Sequence, residues 1–319
     1  MNRQLHRFLA LLAVLAPMAG AAQNLSGKKI LFLSSYHQGY AWNDGVEAGA
    51  ASVLKGSGVE MQTFRLDAKR HPEPKAVREA GQKALALIAN SRPDLVIVSD
   101  DIGTKLMVDN FKNTAMPWVF CGVNWDASRY GLPFKNTTGM VEVGPVEPLI
   151  QNLKVYAKGT RVGYLTADVE TERTDQAAYR DLLKINFTQQ KLVKSMAEWN
   201  TVFERFQGEV DVLLLGNNAG LPDWSEPVAA AWAMEHGKIP TGTIYDWMMP
   251  YTMLGVTKVA DEQGIWAAKA ALRILRGEAP ASIPLARNKD GKLYVNVNLA
   301  SKAGVVFKPE IISNAQVLK

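Results

Sequence analysis

The sequence lacks the features that mark several common classes of protein. It contains a single cysteine, Cys121, so no disulfide can form within the chain and an apolar core must hold the fold. Beyond the first 22 residues, no apolar run approaches the roughly 20 residues that a membrane-spanning helix needs. The formal net charge is only +5 and the basic residues form no long run, which argues against nucleic acid as a partner.

Motifs of the common enzyme classes are also missing. The chain has no G-x-S-x-G, no Walker loop, no G-x-G-x-x-G after a strand and no H-E-x-x-H. Asp100 and Asp101 are adjacent carboxylates, but neighbours at a strand end usually point apart, so helix capping is a commoner use than glycoside hydrolysis. Beyond the N-terminal segment the histidines lie far apart, which disfavours zinc: His37, His71 and His236. We therefore expect a protein that is not an enzyme and has neither metal nor cofactor.

The first 22 residues have the pattern of a secretory signal peptide. Arg3 and Arg7 precede an apolar run from residue 8 to 18, and small residues follow at 19–22. No cysteine follows the cleavage region to accept a lipid. This pattern predicts a periplasmic protein that is exported by its signal peptide and is not lipid-anchored.

Apolar runs of strand length alternate with helical patterns in two successive halves. The first half has such runs at 30–33, 95–98 and 118–121, and the pattern restarts at 162–165 and 210–215. Continuous apolar runs are typical of parallel strands covered on both faces. We predict an α/β fold of two Rossmann-like lobes with parallel sheets.

A stretch rich in Gly, Pro, Asn and Thr near residues 136–139 predicts the join between the halves. A helical pattern near 261–275 and a strand near 292–297 are too short for a third domain and should complete the two lobes. We predict an N-terminal lobe of residues 23–137 plus about 250–279, and a C-terminal lobe of 138–249 plus about 280–319. The chain then crosses a multi-stranded hinge more than once.

Ligands of parallel α/β sheets bind beyond the carboxyl ends of the strands, so the residues there are the candidates. Turn formation explains many of the small polar residues, but it explains the aromatic residues poorly. These side chains either pack between the lobes or stack on a ligand, and Trp42 equally suits a hydrophobic staple. The aromatic residues at the strand ends are Tyr36, Tyr40, Trp42, Trp125, Tyr245 and Trp247.

Three segments resemble a known family. They are residues 34–44 (SSYHQGYAWND), 119–124 (VFCGVN) and 262–277, which contains EQGIWAA and ALRILRG. Together they resemble the ABC-transporter substrate-binding proteins that include tryptophan- and tyrosine-binding members. The first two segments are also similar to extracytoplasmic sensor domains of bacterial histidine kinases.

The resemblance implies a type I periplasmic binding fold, in which two lobes close on a small ligand at the hinge. In such proteins hydroxyl and Asn groups hold the carboxylate of an amino acid, and an acidic residue such as Asp101 or Asp246 holds the amine. Aromatic rings at the strand ends would enclose the apolar part. The polar residues that the resemblance places in the site are Ser34, Ser35, Asp101, Asn124, Thr171, Asn217, Asn218 and Asp246. The strand-end positions add Tyr36, His37, Trp42, Tyr245 and Trp247 as ligand-binding candidates.

The predicted function is that of a monomeric solute-binding protein of an ABC importer. It would capture a small polar or aromatic-bearing, amino-acid-like ligand by hinge closure and present it to a permease in the inner membrane. The tip at residues 215–218 lacks the Pro-Thr-Asp-Asn pattern of the aromatic amino-acid binders, so the ligand stays open. Two alternatives are a receptor that docks on a sensor kinase or chemoreceptor, and a secreted enzyme.

Overall fold

The computed structural model describes residues 25–218 and 220–318, which form two α/β lobes. The first lobe is built on a six-stranded parallel sheet. Its strands are β1 (Lys29–Ser34), β2 (Glu60–Arg65), β3 (Leu95–Ser99), β4 (Trp118–Asn124), β5 (Thr137–Glu142) and β11 (Ala286–Arg287). Their order across the sheet is β11-β5-β4-β3-β1-β2.

Helices cover both faces of this sheet. One face carries α1 (Ala41–Leu54) and α8 (Ala260–Leu275), and the other carries α2 (Pro74–Ser91) and α3 (Asp100–Phe111). Alternate residues of β1 enter the two layers, because successive side chains of a strand point to opposite faces. Every residue of β1 after Lys29 is buried, as the apolar run predicts.

The second lobe is built on a seven-stranded sheet in the order β13-β12-β10-β9-β8-β6-β7, in which β12 runs antiparallel to β10 and all other pairs are parallel. Its strands are β6 (Val162–Ala167), β7 (Gln189–Val193), β8 (Val212–Leu215), β9 (Thr241–Thr243), β10 (Leu254–Lys258), β12 (Gly291–Asn296) and β13 (Gln316–Leu318). Its helices are α4 (Val146–Lys154), α5 (Glu170–Asp181), α6 (Met196–Glu209), α7 (Glu226–His236), α9 (Val297–Lys302) and α10 (Pro309–Ser313).

The chain passes between the sheets three times, after β5, after β10 and after β11. The crossing segments are tied to one another. Asn288 donates from Nδ2 to the Val143 carbonyl (3.0 Å) and accepts from the Val143 amide at Oδ1 (2.6 Å). Glu262 on α8 accepts from the amides of Lys289 and Asp290. These bonds satisfy backbone N–H and C=O groups of the crossing segments, which do not pair with each other in a sheet.

Two glycines allow α1 and α8 to pack closely. A Cβ at Gly49 would lie 2.3 Å from the Asp261 carbonyl oxygen, and a Cβ at Gly264 would lie 1.9 Å from that of Val46. Neither position has room for a side chain. The contact fixes the loop before α1 against the helix that follows the second hinge crossing.

The predicted α/β fold of two lobes is confirmed, but the sheets divide the chain at other residues than the predicted boundaries. Residues 138–142, placed in the C-terminal lobe, belong to β5 of the first sheet, and β10, placed in the N-terminal lobe, belongs to the second. The polar stretch that was predicted to join the lobes is instead the buried start of strand β5. Asn136 donates to the carbonyls of Phe111 and Met116 (both 2.8 Å), and Thr138 donates to that of Ile283.

The predicted signal peptide lies outside the described residues. Within residues 25–218 and 220–318, no helix combines the length and the apolar character needed to cross a membrane. Cys121 is buried in β4 with a free thiol, and burial raises its pKa well above the ordinary value.

Candidate functional site

Side chains of the two lobes meet at the carboxyl ends of their strands. Trp125, directly after β4, donates its indole N–H to Oδ1 of Asp175 on α5 across 2.7 Å. Lys258, at the end of β10, forms an ion pair with Glu142, at the end of β5. The same ammonium lies 5.2 Å from the centre of the Trp42 ring on α1. This inter-lobe site is called the cleft below.

Asp100 lies on the first-lobe side of the cleft and is only 3% exposed. Its Oδ1 accepts the indole N–H of Trp42 at 3.2 Å, whereas Oδ2 has no hydrogen-bond partner among the described residues. Burial and the negative charge of Glu142 raise the pKa of Asp100 to about 8. An unpaired buried carboxyl oxygen is costly to maintain, which makes this residue a candidate for function.

The backbone around Asp100 is adapted to this position. Asp100 has a left-handed φ of 63°, which is unusual for a residue other than glycine. The adjoining strand approaches closely at Gly122, where a Cβ would lie 3.0 Å from Asp100 Oδ1. Gly122 also donates its amide to the Gln263 side chain on α8 at 2.9 Å. Glycine at residue 122 therefore makes room for the carboxyl group.

The Lys258–Glu142 ion pair joins the two sheets beside the hinge. Glu142 is 6% exposed. Burial alone would lower the pKa of Lys258, but the charge and hydrogen bond of Glu142 raise it above the ordinary value, and Asp175 adds to this effect. The lysine is therefore held charged between carboxyl groups of both lobes.

Glu172 on α5 is the most fully paired carboxylate of the site. It is completely buried, and Oε2 accepts from the hydroxyls of Tyr164 (2.7 Å) and Thr166 (2.6 Å). Oε1 accepts from the hydroxyl of Tyr245 at 2.9 Å. The amide of Asn217 completes the set at 3.3 Å. Both oxygens are thus engaged within the second lobe.

Asp175 follows Glu172 by one helical turn and links the lobes. Its Oδ1 accepts from Trp125, and its Oδ2 lies 3.0 Å from the Tyr245 hydroxyl, whose single hydrogen it shares with Glu172. Burial and the nearby charge of Glu172 raise its pKa to about 6. Trp125 is 7% exposed and packs edge-on against Tyr179 with ring centres 5.3 Å apart. A first-lobe side chain therefore fills a place in the core of the second lobe.

Aromatic rings surround these charged groups. Tyr36 and Tyr40 pack edge to face with centres 5.5 Å apart, and the Lys69 ammonium lies 4.0 Å from the Tyr40 ring centre. On the second lobe Tyr245 and Trp247 lie 4.8 Å apart, with Trp247 51% exposed. The exposed indole provides apolar surface at the edge of the cleft.

Several predicted ligand-binding residues lie at the cleft. Tyr36, Trp42 and Tyr245 are among them, through the contacts given above. Asp101 and Asn124 are hydrogen bonded to each other at 2.7 Å. The Asp101 carboxylate is further bound by two side chains of its own lobe, Arg129 and Tyr130.

Two predicted hydroxyls are committed to internal structure. Ser34 and Ser35 are fully buried. Ser34 donates to the Asn43 side chain, while Ser35 donates to the Ser99 carbonyl (2.6 Å) and accepts the Gly103 amide (2.8 Å). They hold the loop after β1 against the starts of α1 and α3.

The remaining predicted residues lie in loops or at a helix start, at varied exposure. Asn217 and Asn218 are half-buried, and their backbone carbonyls accept amides of Ala167 (3.0 Å) and Leu221 (3.1 Å). His37 is half-buried, with Nδ1 3.5 Å from Asp67. Thr171 and Asp246 are exposed, and Asp246 Oδ1 accepts the Trp247 amide. Ligand contact by all of these residues stays a prediction.

Five cleft residues were not predicted as ligand-binding residues. Glu142 and Lys258 end strands β5 and β10, so the strand-end rule would have identified them had those strands been bounded correctly. Glu172 and Asp175 lie on a helix at a spacing of one turn, which a search restricted to loops passes over. Asp100 was assigned to helix capping, yet the α3 N-terminus has no side-chain cap hydrogen bond. Among the described residues, no group of three or more His, Cys, Asp or Glu side chains is placed to hold a metal ion.

A cavity of about 700 Å³ lies elsewhere, between α6 and α7. It is lined in part by Asn200, Arg205 and Trp232. Gln207 beside it accepts amides of Lys238 and Ile239, which precede β9. The cavity is thus at the amino end of a strand, away from the cleft.

The C-terminal part of the chain is similar to a known family. Residues 252–319 match the family described as ABC transporter substrate binding protein. No curated protein matches the chain. The match covers β10, the hinge crossings after it and the end of the second lobe.

Solved structures share the whole fold. The ligand-free, open structure of a substrate-binding protein with adhesive properties from Clostridium difficile is 18% identical, with a TM-score of 0.71 over 92% of this chain and 99% of that one. A domain in complex with L-Trp from Streptococcus pneumoniae is 18% identical, with a TM-score of 0.57 over 91% and 100%. A periplasmic ribose ABC transporter protein from Conexibacter woesei is 15% identical, with a TM-score of 0.58 over 89% and 97%.

These findings confirm the type I periplasmic binding fold and the resemblance to ABC transporter substrate-binding proteins that the sequence indicated.

Proposed function

We propose that the protein is the extracytoplasmic solute-binding component of an ABC importer and binds a small ligand between its lobes. One observation carries the proposal. The strand ends of two lobes, connected by three hinge segments, bring together buried carboxyl groups and aromatic rings. A small molecule with polar groups on an apolar body fits such a lining.

Hinge closure would couple binding to recognition by a transporter. A ligand shifts the balance between open and closed lobes only through contacts that are better in the closed form. Residues that reach across the cleft, such as Trp125 and Lys258, already contact the opposite lobe. Contacts of the ligand with both lobes would add to these and favour closure.

The nature of the ligand is part of the proposal. We favour an amino-acid-like or aromatic-bearing compound, because aromatic rings such as Tyr36, Tyr245 and Trp247 line the cleft. The related structures named for L-Trp and for ribose are consistent with a small polar ligand on this fold.

The cellular setting is proposed from the N-terminal sequence. Residues 1–22 have the pattern of a cleaved export signal, which fits the extracytoplasmic setting of the matched family. The partner would be a permease in the inner membrane. The binding protein would act as a monomer and without a cofactor.

A signalling role is the second candidate, because residues 34–44 and 119–124 also resemble sensor domains of histidine kinases. In that case the closed form docks on a sensor kinase or chemoreceptor. Deletion of the gene would then abolish a transcriptional response to the ligand while uptake of the radiolabelled ligand stays normal. Loss of uptake would instead support the importer role.

The ligand-binding proposal is tested by identifying what the purified protein carries. The protein is denatured, the small molecules released are identified by mass spectrometry, and each is titrated into refolded protein in a thermal-shift assay. We expect one compound to raise the melting temperature with increasing concentration. If no compound is released and no amino acid, nucleoside, sugar or aromatic acid shifts the melting temperature, the proposal is overturned. Chemical conversion of a compound would indicate an enzyme.

A further inference from the structure

Buried carboxyl groups outnumber their cationic partners in the cleft, and this excess bears on the ligand. Four carboxyl groups there are at least nine-tenths buried, namely Asp100, Glu142, Glu172 and Asp175. Among the described residues, these four carboxyl groups form one ion pair, between Glu142 and Lys258. The other three form no ion pair with a lysine or arginine, although the charge of Lys258 also acts on Asp175.

The three unpaired carboxyl groups differ in what else they bind. Glu172 is saturated by hydroxyl and amide donors of its own lobe. Asp175 accepts from Trp125 at Oδ1, and its Oδ2 shares the Tyr245 hydroxyl with Glu172. Asp100 has a donor on Oδ1 only, since Oδ2 has no partner among the described residues. Asp100 thus has the most capacity for a further donor.

Aromatic faces in the cleft already attract ammonium groups. Lys258 lies over the ring of Trp42, and Lys69 lies over the rings of Tyr40 and Tyr36 at 4.0 and 5.0 Å. Aromatic rings bind cations through their negative faces. The combination of such rings with unpaired carboxyl groups is suited to a ligand that carries positive charge.

We propose that the ligand of the cleft is an organic cation with a protonated amine or guanidinium, and that Asp100 of the first lobe binds its charged group. This inference rests on the proposed binding function and specifies the chemical class of its ligand. It differs from the amine site that the family resemblance implied. Asp101 is already bound by Arg129, Tyr130 and Asn124, and Asp246 is exposed.

Binding of a cation should also release a proton. Asp100 is faced by Glu142, Asp101, Tyr36 and the thiol of Cys121, and these negative or ionisable groups together with burial favour its protonated form. A ligand cation would stabilise the ionised form instead. The apparent affinity should therefore rise with pH, by up to about tenfold per unit below pH 8, as the cost of deprotonation falls.

The class of ligand is tested with three compounds that share one aromatic ring. Tyramine carries only the amine, tyrosine carries amine and carboxylate, and 3-(4-hydroxyphenyl)propionate carries only the carboxylate. They are titrated by calorimetry together with agmatine and cadaverine, and with the compound released from the protein on denaturation. We expect the released compound to be a net cation at pH 7 and the amines to bind at least tenfold more tightly than tyrosine or the acid.

Variants identify the carboxyl group responsible. Asp100→Asn keeps the size of the side chain and should weaken cation binding at least tenfold and abolish the proton release, measured in two buffers of different ionisation enthalpy. Asp109→Asn is the matched control, because Asp109 lies on the same helix but is exposed and paired with Lys105 at 2.9 Å. It should bind as the parent does. Equal affinities of both variants would overturn the role of Asp100.

The outcomes separate this inference from the function on which it rests. The cationic class of the ligand is overturned if a neutral, zwitterionic or anionic compound binds and no amine binds. That result leaves the binding function intact. No released compound and no binding by any probe overturns both. A bound cation with a pH-independent affinity contradicts the assignment to Asp100.

Discussion

The two lobes use buried carboxyl groups in different ways. On the second lobe Glu172 accepts hydrogen bonds from three hydroxyl groups and one amide, whereas on the first lobe Asp100 leaves one oxygen without a partner. Both residues are almost inaccessible to solvent. A saturated buried carboxylate stabilises the fold, while an unsaturated one carries a desolvation cost and has capacity for a further donor.

The largest effect should come from removing the saturated carboxylate. Glu172→Ala removes the acceptor of the buried Tyr164 hydroxyl and one of two acceptors of the Thr166 and Tyr245 hydroxyls. We expect this loss to lower the free energy of unfolding by about 3 kcal/mol. Urea unfolding measures the change. Glu79→Ala, at an exposed position on α2 paired with Lys75, is the control and should cost less than about 0.5 kcal/mol. Similar losses for the two variants would show that the Glu172 network contributes nothing.

Substitution of Asp100 is expected to stabilise the fold rather than destabilise it. Its pKa is raised from 3.8 to about 8, so the folded protein holds the proton where the unfolded chain releases it, and stability is lost as pH rises from 4 to 8. Asp100→Asn removes this penalty. We expect the variant to gain about 2 kcal/mol, or about 5 °C in melting temperature, at pH 8 and little at pH 4. A pH-independent difference between variant and parent would contradict the assignment.

The inter-lobe bond should have a smaller effect. Trp125→Phe preserves much of the packing on Tyr179 but removes the donor to Asp175, and we expect a loss of about 1.5 kcal/mol at pH 7.5. The loss should shrink at pH 5, because the pKa of Asp175 is about 6 and a neutral carboxyl group accepts a weaker bond. Thermal unfolding at the two pH values gives the comparison. A loss that is equal at both values would indicate that packing alone is affected.

The smallest effect on stability is expected at the cleft edge. Trp247 is half exposed and stacks on Tyr245, so Trp247→Ala should leave the melting temperature nearly unchanged. If the indole encloses the ligand, binding of the released compound should weaken about tenfold, or about 1.4 kcal/mol. Calorimetric titration measures this. The exposed residue Val306 provides a control, because Val306→Ala should change neither stability nor binding.

The fold was largely predictable, because continuous apolar runs and helical periodicity are local signals. The apolar runs at 95–98 and 162–165 lie within β3 and β6. The boundary between the lobes was harder to predict from the sequence. The polar residues near 136–139 are typical of a linker in sequence, but Asn136, Thr137 and Thr138 are buried, and Asn136 and Thr138 donate to the distant Met116 and Ile283 carbonyls. Only tertiary contacts reveal this.

Ligand contact by the predicted site residues stays a prediction, so sequence and structure can be compared only for where those residues lie. The strand-end rule placed Tyr36, Trp42 and Tyr245 at the cleft. It gave no information on pairing, so residues such as Ser35 were chosen although their hydrogen bonds are used within the lobe. It also missed α5, whose buried carboxylates reach the cleft from a helix face rather than a loop.

The central claim is that the two lobes close on a small ligand. Small-angle X-ray scattering of the mature protein, before and after addition of the compound released on denaturation, measures it directly. We predict a smaller radius of gyration with the ligand and no change in the Asp100→Asn variant at the same ligand concentration. A radius of gyration that stays the same in the parent protein at saturating ligand would contradict the account.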